Sequence, residues 1–153
     1  MQIDRRSLVS LLPAVIAQGA VLAAVSEASG QTAPQSAVLP SAVYEYASLP
    51  VHASKASVSR PVLKGKLATG ESIEVHETTL PPGGAPHPPH HHVHSEMWLI
   101  REGTVQITIV GKSYTLGPGS VAFVKSDDEH GITNPSDKSA SYFVVAIGPG
   151  ADA

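Results

Sequence analysis

From Arg60 onward the chain never holds one hydrophobic period for long. Residues 72–79 alternate, with Ile73, Val75 and Glu77 on one face and Glu74, His76 and Thr78 on the other. Pro81-Pro82-Gly83-Gly84 ends that run. Residues 97–100 are apolar and short; Val105, Ile107 and Ile109 then alternate with polar neighbours. Gly111-Lys112 forms a hairpin turn into Ser113-Tyr114-Thr115-Leu116, and Gly117-Pro118-Gly119 turns the chain again. Residues 121–124 and 142–147 complete the series. Beyond the N-terminal segment, no stretch of twelve residues keeps a 3.6-residue period. Thirteen Gly and thirteen Pro in 153 residues favour turns over long helices. Many short strands cut by such turns predict an all-β sandwich or barrel. With 42% apolar residues the chain can bury one core, and it is too short for two ordinary domains. We read residues 60–148 as the barrel, 31–59 as a linker or arm with a short edge strand at 43–46, and 149–153 as a C-terminal tail.

Charge and sulfur content narrow the chemistry. Ten Lys+Arg against thirteen Asp+Glu give a net charge of −3, with no basic field to grip a phosphate backbone. Nucleic acid is therefore excluded as a partner. The absence of Cys removes disulfides, thiolate metal sites and a thiol nucleophile.

Residues 1–30 read as an export signal. Arg5-Arg6 precede an apolar stretch over residues 8–25, and the small residues Ala28-Ser29-Gly30 follow it. The arginine pair, followed by Ser7 and Leu8-Val9, resembles the twin-arginine type. The alternatives are the general export route or a retained membrane anchor. Pro13 and Gly19 inside the stretch argue against the anchor. We therefore expect a periplasmic or secreted bacterial protein with no stable membrane insertion after cleavage.

Five of the eight histidines fall between His87 and His94. On an extended strand, residues two apart face the same side, so His90 and His92 can point at one ion while His91 points away. Glu96 lies four residues on, after a bend at Val93-His94-Ser95. Two imidazoles and a carboxylate suit Mn, Fe, Co, Ni or Zn. His87, His91 and His94 read as solvated bystanders, with His94 nearest the mouth of a site. His76 reads as an ordinary strand residue. Trp98 shares strand parity with Glu96 and either packs in the core or lines the pocket.

The spacing of Gly84, His90-x-His92, Glu96 and Gly103 resembles the first motif of the cupin superfamily at every fixed position. Gly119, His130 and Asn134 match its second motif, although Lys125 stands where a proline is usual and Asp127 where a glycine is usual. The resemblance implies a jelly-roll-like double-stranded β-helix barrel holding one divalent metal ion through His90, His92, Glu96 and His130. Glu96 would be a ligand, or a residue that orients one. Gly84, Gly103 and Gly119 would be turn residues, and Asn134 would fix the loop after His130. The motif departures leave the 125–129 loop open. Asp127-Asp128-Glu129 are either turn residues facing solvent or, if the loop lies as in the family, a cluster near the mouth that would disfavour dianions.

Such a site implies a metal-dependent enzyme acting on a small oxygen-bearing molecule. Oxygenase or oxidase chemistry is favoured, with lyase and isomerase chemistry beside it. No catalytic residue beyond the metal set is assigned, Glu96 being the one candidate. Export of an already folded chain would let Mn or Fe be loaded in the cytoplasm, and Zn, Ni, Co or Cu would also fit. The alternatives are a non-catalytic small-ligand or sugar-binding protein and a His-rich metal buffer. A homodimer through exposed strands is also expected.

Overall fold

The computed structural model describes residues 38–153. The export-signal reading, on residues 1–30, lies outside the described residues. Among the described residues, nine antiparallel strands form two sheets that face each other. The larger contains β1 (His52–Ala53), β2 (Val58–Lys66), β3 (Ser72–Leu80), β9 (Ala140–Ile147), β4 (Ser95–Glu102) and β7 (Val121–Val124), in the order β1-β2-β3-β9-β4-β7. The smaller runs β6 (Lys112–Leu116), β5 (Val105–Ile109) and β8 (His130–Thr133). This is the all-β, jelly-roll-like double-stranded β-helix that the cupin resemblance implies, and one of the barrels the turn spacing allows. Among the described residues, no helix is long and apolar enough to cross a membrane.

The core lies between the sheets. Leu80, Trp98, Ile100, Tyr142 and Val144 from the larger sheet pack against Val105, Ile107 and Ile132 from the smaller. Registers place Thr78 opposite Tyr142, and Tyr142 opposite Ile100, so one parity of β3, β9 and β4 faces inward. On β3 that parity is Ser72, Glu74, His76, Thr78 and Leu80, which brings a polar row into the interior. Ile73 and Val75 face out. Glu77 also lies on the outer side, yet it is fully buried. Arg60 Nη1 lies 3.5 Å from its carboxylate and Arg101 Nη1 3.8 Å. The Thr79 hydroxyl donates to it at 3.0 Å.

Both guanidiniums sit on the ring of Tyr46, at 4.9 Å and 4.2 Å from its centroid. The expected strand at 43–46 does not form. Instead Tyr46–Ser48 makes one 3-10 turn, because Tyr46 is drawn onto the arginine pair rather than into a ladder. Among the described residues the arm contributes β1, the first two residues of β2 and a single bridge, Val38 to Lys66.

Two turns show how sequence sets geometry. Gly103 has φ 75, and a Cβ there would lie 2.6 Å from the Ser139 carbonyl oxygen, so only glycine fits. The β5–β6 hairpin closes on Val110 and Gly111 with φ 45 and 74, the two-residue turn that suits Asn-Gly or Gly-Gly. Val110 is β-branched, left-handed and exposed. Val110→Asn should therefore stabilise the fold by about 1 kcal/mol, read as a rise of roughly 4 °C in the melting midpoint.

Candidate metal centre

His90 is not in a strand. It forms an isolated bridge with His130, the first residue of β8, through reciprocal backbone hydrogen bonds of 3.0 and 2.8 Å. Residues 91–94 lead on into β4. The alternation expected of a strand nevertheless survives in this extended segment: His90 and His92 are half-buried and His91 is exposed. Pairing of two main chains thus brings residues forty apart in sequence into one cluster.

The ring nitrogens decide what the cluster can do. His92 Nδ1 donates to the His94 carbonyl at 2.9 Å, and His130 Nδ1 to the Asp128 carbonyl at 2.8 Å. Each bond fixes a tautomer that leaves Nε2 as a lone pair, the arrangement that orients metal-binding imidazoles. His92 Nε2, His130 Nε2 and His90 Nδ1 are buried with no hydrogen-bond partner. Buried polar atoms are rarely left unpaired without a reason. Ligand atoms of His90, His92 and His130 lie within 4.8 Å of one another, so the trio could hold one metal ion. Glu96 enters from β4, with its oxygens 3.6 Å from His92 Nε2 and 3.4 Å from His130 Nε2. The structure therefore brings together all four residues singled out in the sequence.

Electrostatics keeps the site ready for a cation. Burial and the neighbouring His87, His130, His92 and His94 push the pKa of His90 down to about 4. His90 is thus neutral at pH 7 and presents a lone pair. The shift implies that metal-free protein is fully stable, as far as His90 is concerned, only above the ordinary pKa of about 6.5. Below that the unfolded chain binds a proton that the folded chain resists. Urea midpoints of metal-free protein should therefore fall as pH drops from 6.5 towards 4, and saturating metal should raise the midpoints while leaving the fall at least as steep, because coordinated imidazoles stay deprotonated while the unfolded chain takes up protons.

A second group, His92, His94 and Glu96, also lies within 4.8 Å. The His92 and His94 rings are stacked, 3.6 Å between centroids and 16° between planes, so their in-plane lone pairs run parallel rather than converging. The His90 trio is therefore the group whose lone pairs are better placed to converge on one ion. His94 faces a cleft, in line with its expected place at the mouth. His87 is exposed, its ring edge-on to His90 at 4.3 Å. Trp98 is a core residue, its ring edge-on to His130 at 5.4 Å.

The 125–129 loop joins β7 to β8. Asp127 takes φ 63 where a glycine is usual, and its N–H donates to the His92 carbonyl at 2.9 Å. Lys125, in the proline position, pairs with Asp128 at 2.7 Å. Of the two readings for Asp127, Asp128 and Glu129, the turn reading fits better, since none of the three lines the cleft beside Glu96. Its carboxylates are Glu96 and a residue not singled out from the sequence, Glu74. Asn134 is fully buried and does fix the loop. Its amide donates to the carbonyls of Leu80, Pro81 and Lys138, and its oxygen accepts from Ser136.

Residues 76–146 match the family described as Cupin domain. This segment is a cupin domain. An RmlC-like cupin from Shewanella frigidimarina superposes with a TM-score of 0.60 at 16% identity, over 73% of this chain and 96% of that one. An L-ectoine synthase from Bordetella petrii is 44% identical over 75 residues, which are 48% of this chain and 54% of the synthase. A mannose-1-phosphate guanylyltransferase from Escherichia coli is 38% identical over 63 residues, 41% of this chain and 13% of that protein. The cupin thus spans about half the length of the synthase and a small part of the transferase. Neither name is that of an oxidoreductase.

Proposed function

We propose that this cupin is an exported metal-dependent enzyme that binds one divalent ion through His90, His92, His130 and Glu96 and acts on a small oxygen-bearing molecule. The observation that carries the reading is the set of three buried imidazole nitrogens with no hydrogen-bond partner, two of them in tautomers held by backbone carbonyls. A bound divalent ion would supply Lewis-acid polarisation of a substrate oxygen. The protein's part is to keep His90 neutral, fix the rings of His92 and His130 and add a carboxylate. Mn or Fe is the favoured ion, on the reading that the chain folds around its metal before export.

The likeness to L-ectoine synthase supports an enzyme over a passive binder and favours non-oxidative chemistry over the oxidoreductase reading. The test is elemental analysis of protein purified from its own exported fraction, followed by turnover assays on a small-molecule panel with dioxygen uptake monitored. One ion per chain, lost in His90→Ala, with metal-dependent turnover, supports the proposal. Several ions per chain, indifferent to His90→Ala, would make it a metal buffer instead.

A further inference from the structure

Beside the metal centre lies a cleft of about 430 Å³, within the usual range for small-ligand sites. Its floor is Ala146. On the neighbouring strands Glu74 and Glu96 are both in register with Ala146 and on its inward face, so a methyl group separates two carboxylate-bearing positions. Adjacent strands are about 4.8 Å apart, which leaves roughly 10 Å between the backbones that carry the two glutamates. His76 follows Glu74 on the same face, and His94 stands beside Glu96. Pro61 and Leu63 of β2, with Gly150 and Ala151, make the apolar side. Lys64 donates to the Ala153 carbonyl and Lys66 pairs with Asp152 at 3.6 Å, so the 150–153 segment is tied down against β2.

Within this cleft His76 Nδ1 lies 2.9 Å from both oxygens of Glu74. A carboxylate accepts, so Nδ1 carries the proton and Nε2 of the neutral ring is left as an acceptor. A larger groove, of about 510 Å³, runs along the proline loop and β5–β8, but its lining holds no titratable group except His87 and none of the metal-site residues. The smaller cleft is the one that shares Glu96 with the metal centre.

We infer that this cleft is the substrate chamber of the metal centre. In it His76, oriented by Glu74, accepts a hydrogen bond from a hydroxyl or amine on a small molecule whose oxygen reaches the ion. The inference rests on the metal reading above and adds to it a ligand class, in which an oxygen donor and an N–H or O–H donor are carried on one short frame. His76 is a substrate-positioning residue in this account, and Glu74 acts through it.

The experiment uses the full chain loaded with Co2+ and the probe acetohydroxamate, which pairs chelating oxygens with an N–H. Cobalt uptake is followed by quenching of Trp98 fluorescence, and probe binding by the visible cobalt spectrum. His76→Leu should weaken acetohydroxamate at least tenfold while cobalt affinity stays within twofold. Ala146→Phe, which fills the floor, should abolish probe binding with cobalt retained. His76→Leu changes a partly exposed side chain, so it carries the test even if Ala146→Phe fails to fold. Unchanged probe affinity in His76→Leu overturns the chamber assignment and leaves the metal reading standing. Failure of the wild-type chain to take up cobalt overturns both.

Discussion

His92→Ala is expected to weaken divalent-metal binding by about a hundredfold or more while the barrel stays folded. His92 gives the cluster one of its three buried unpaired nitrogens, and loss even of a residue that merely supports a metal ligand reduces affinity by roughly ten- to a hundredfold. The readout is built in. Trp98 is the one tryptophan of the chain, and its ring lies 5.4 Å from that of His130. Co2+ or Cu2+ at the trio should quench its emission at near-stoichiometric metal in the wild type, and only at large excess in His92→Ala. His91→Ala, which removes an exposed neighbour, should titrate like the wild type. Equal loss in both variants would mean that the histidine run binds metal diffusely and that the buried trio is not a site.

Asn134→Ala should have the largest effect on stability. The side chain is fully buried and makes contacts of 3.2, 3.0 and 2.7 Å to three carbonyls, and it accepts from Ser136 at 3.0 and 2.7 Å. Truncation strands buried carbonyls at about 1–3 kcal/mol each, so we expect a loss of about 3 kcal/mol. At the scale of this domain that is roughly 12 °C in the melting midpoint. Metal affinity should fall as well, because Asn134 ties the turn leading to His90 to the end of the strand carrying His130. The Asn134 and Gly84 backbones are paired at 2.8 Å, which reinforces that link. A midpoint shift under 3 °C would show that water replaces the amide without penalty.

What was legible in the sequence was whatever rests on turns. Gly84, Gly103 and Gly119 frame the strands, and their match to the two cupin motifs is what singled out His90, His92, Glu96 and His130 from eight histidines and thirteen acidic residues. The Glu74–His76 pair was legible only halfway. The alternation of β3 separated its two faces correctly, but nothing local says which face turns inward. Ordinary burial rules would send Ile73 and Val75 to the core, and the polar face goes there instead because that is where the cleft opens. Glu77 was hidden for the complementary reason. It lies on the outer parity, and its burial depends on Arg60, Arg101 and Tyr46, which come from three separate segments. The 43–46 strand failed on the same account, since a ring captured by two cations outweighs a weak local preference for extended chain.

The reciprocal main-chain bonds between His90 and His130 have one more consequence. They tie the backbone of His90 to that of His130, so the spacing of these two residues is set by main-chain pairing as well as by any ion they hold. A chelator should strip the protein and leave its circular dichroism unaltered, and replenishment should be fast and indifferent to history.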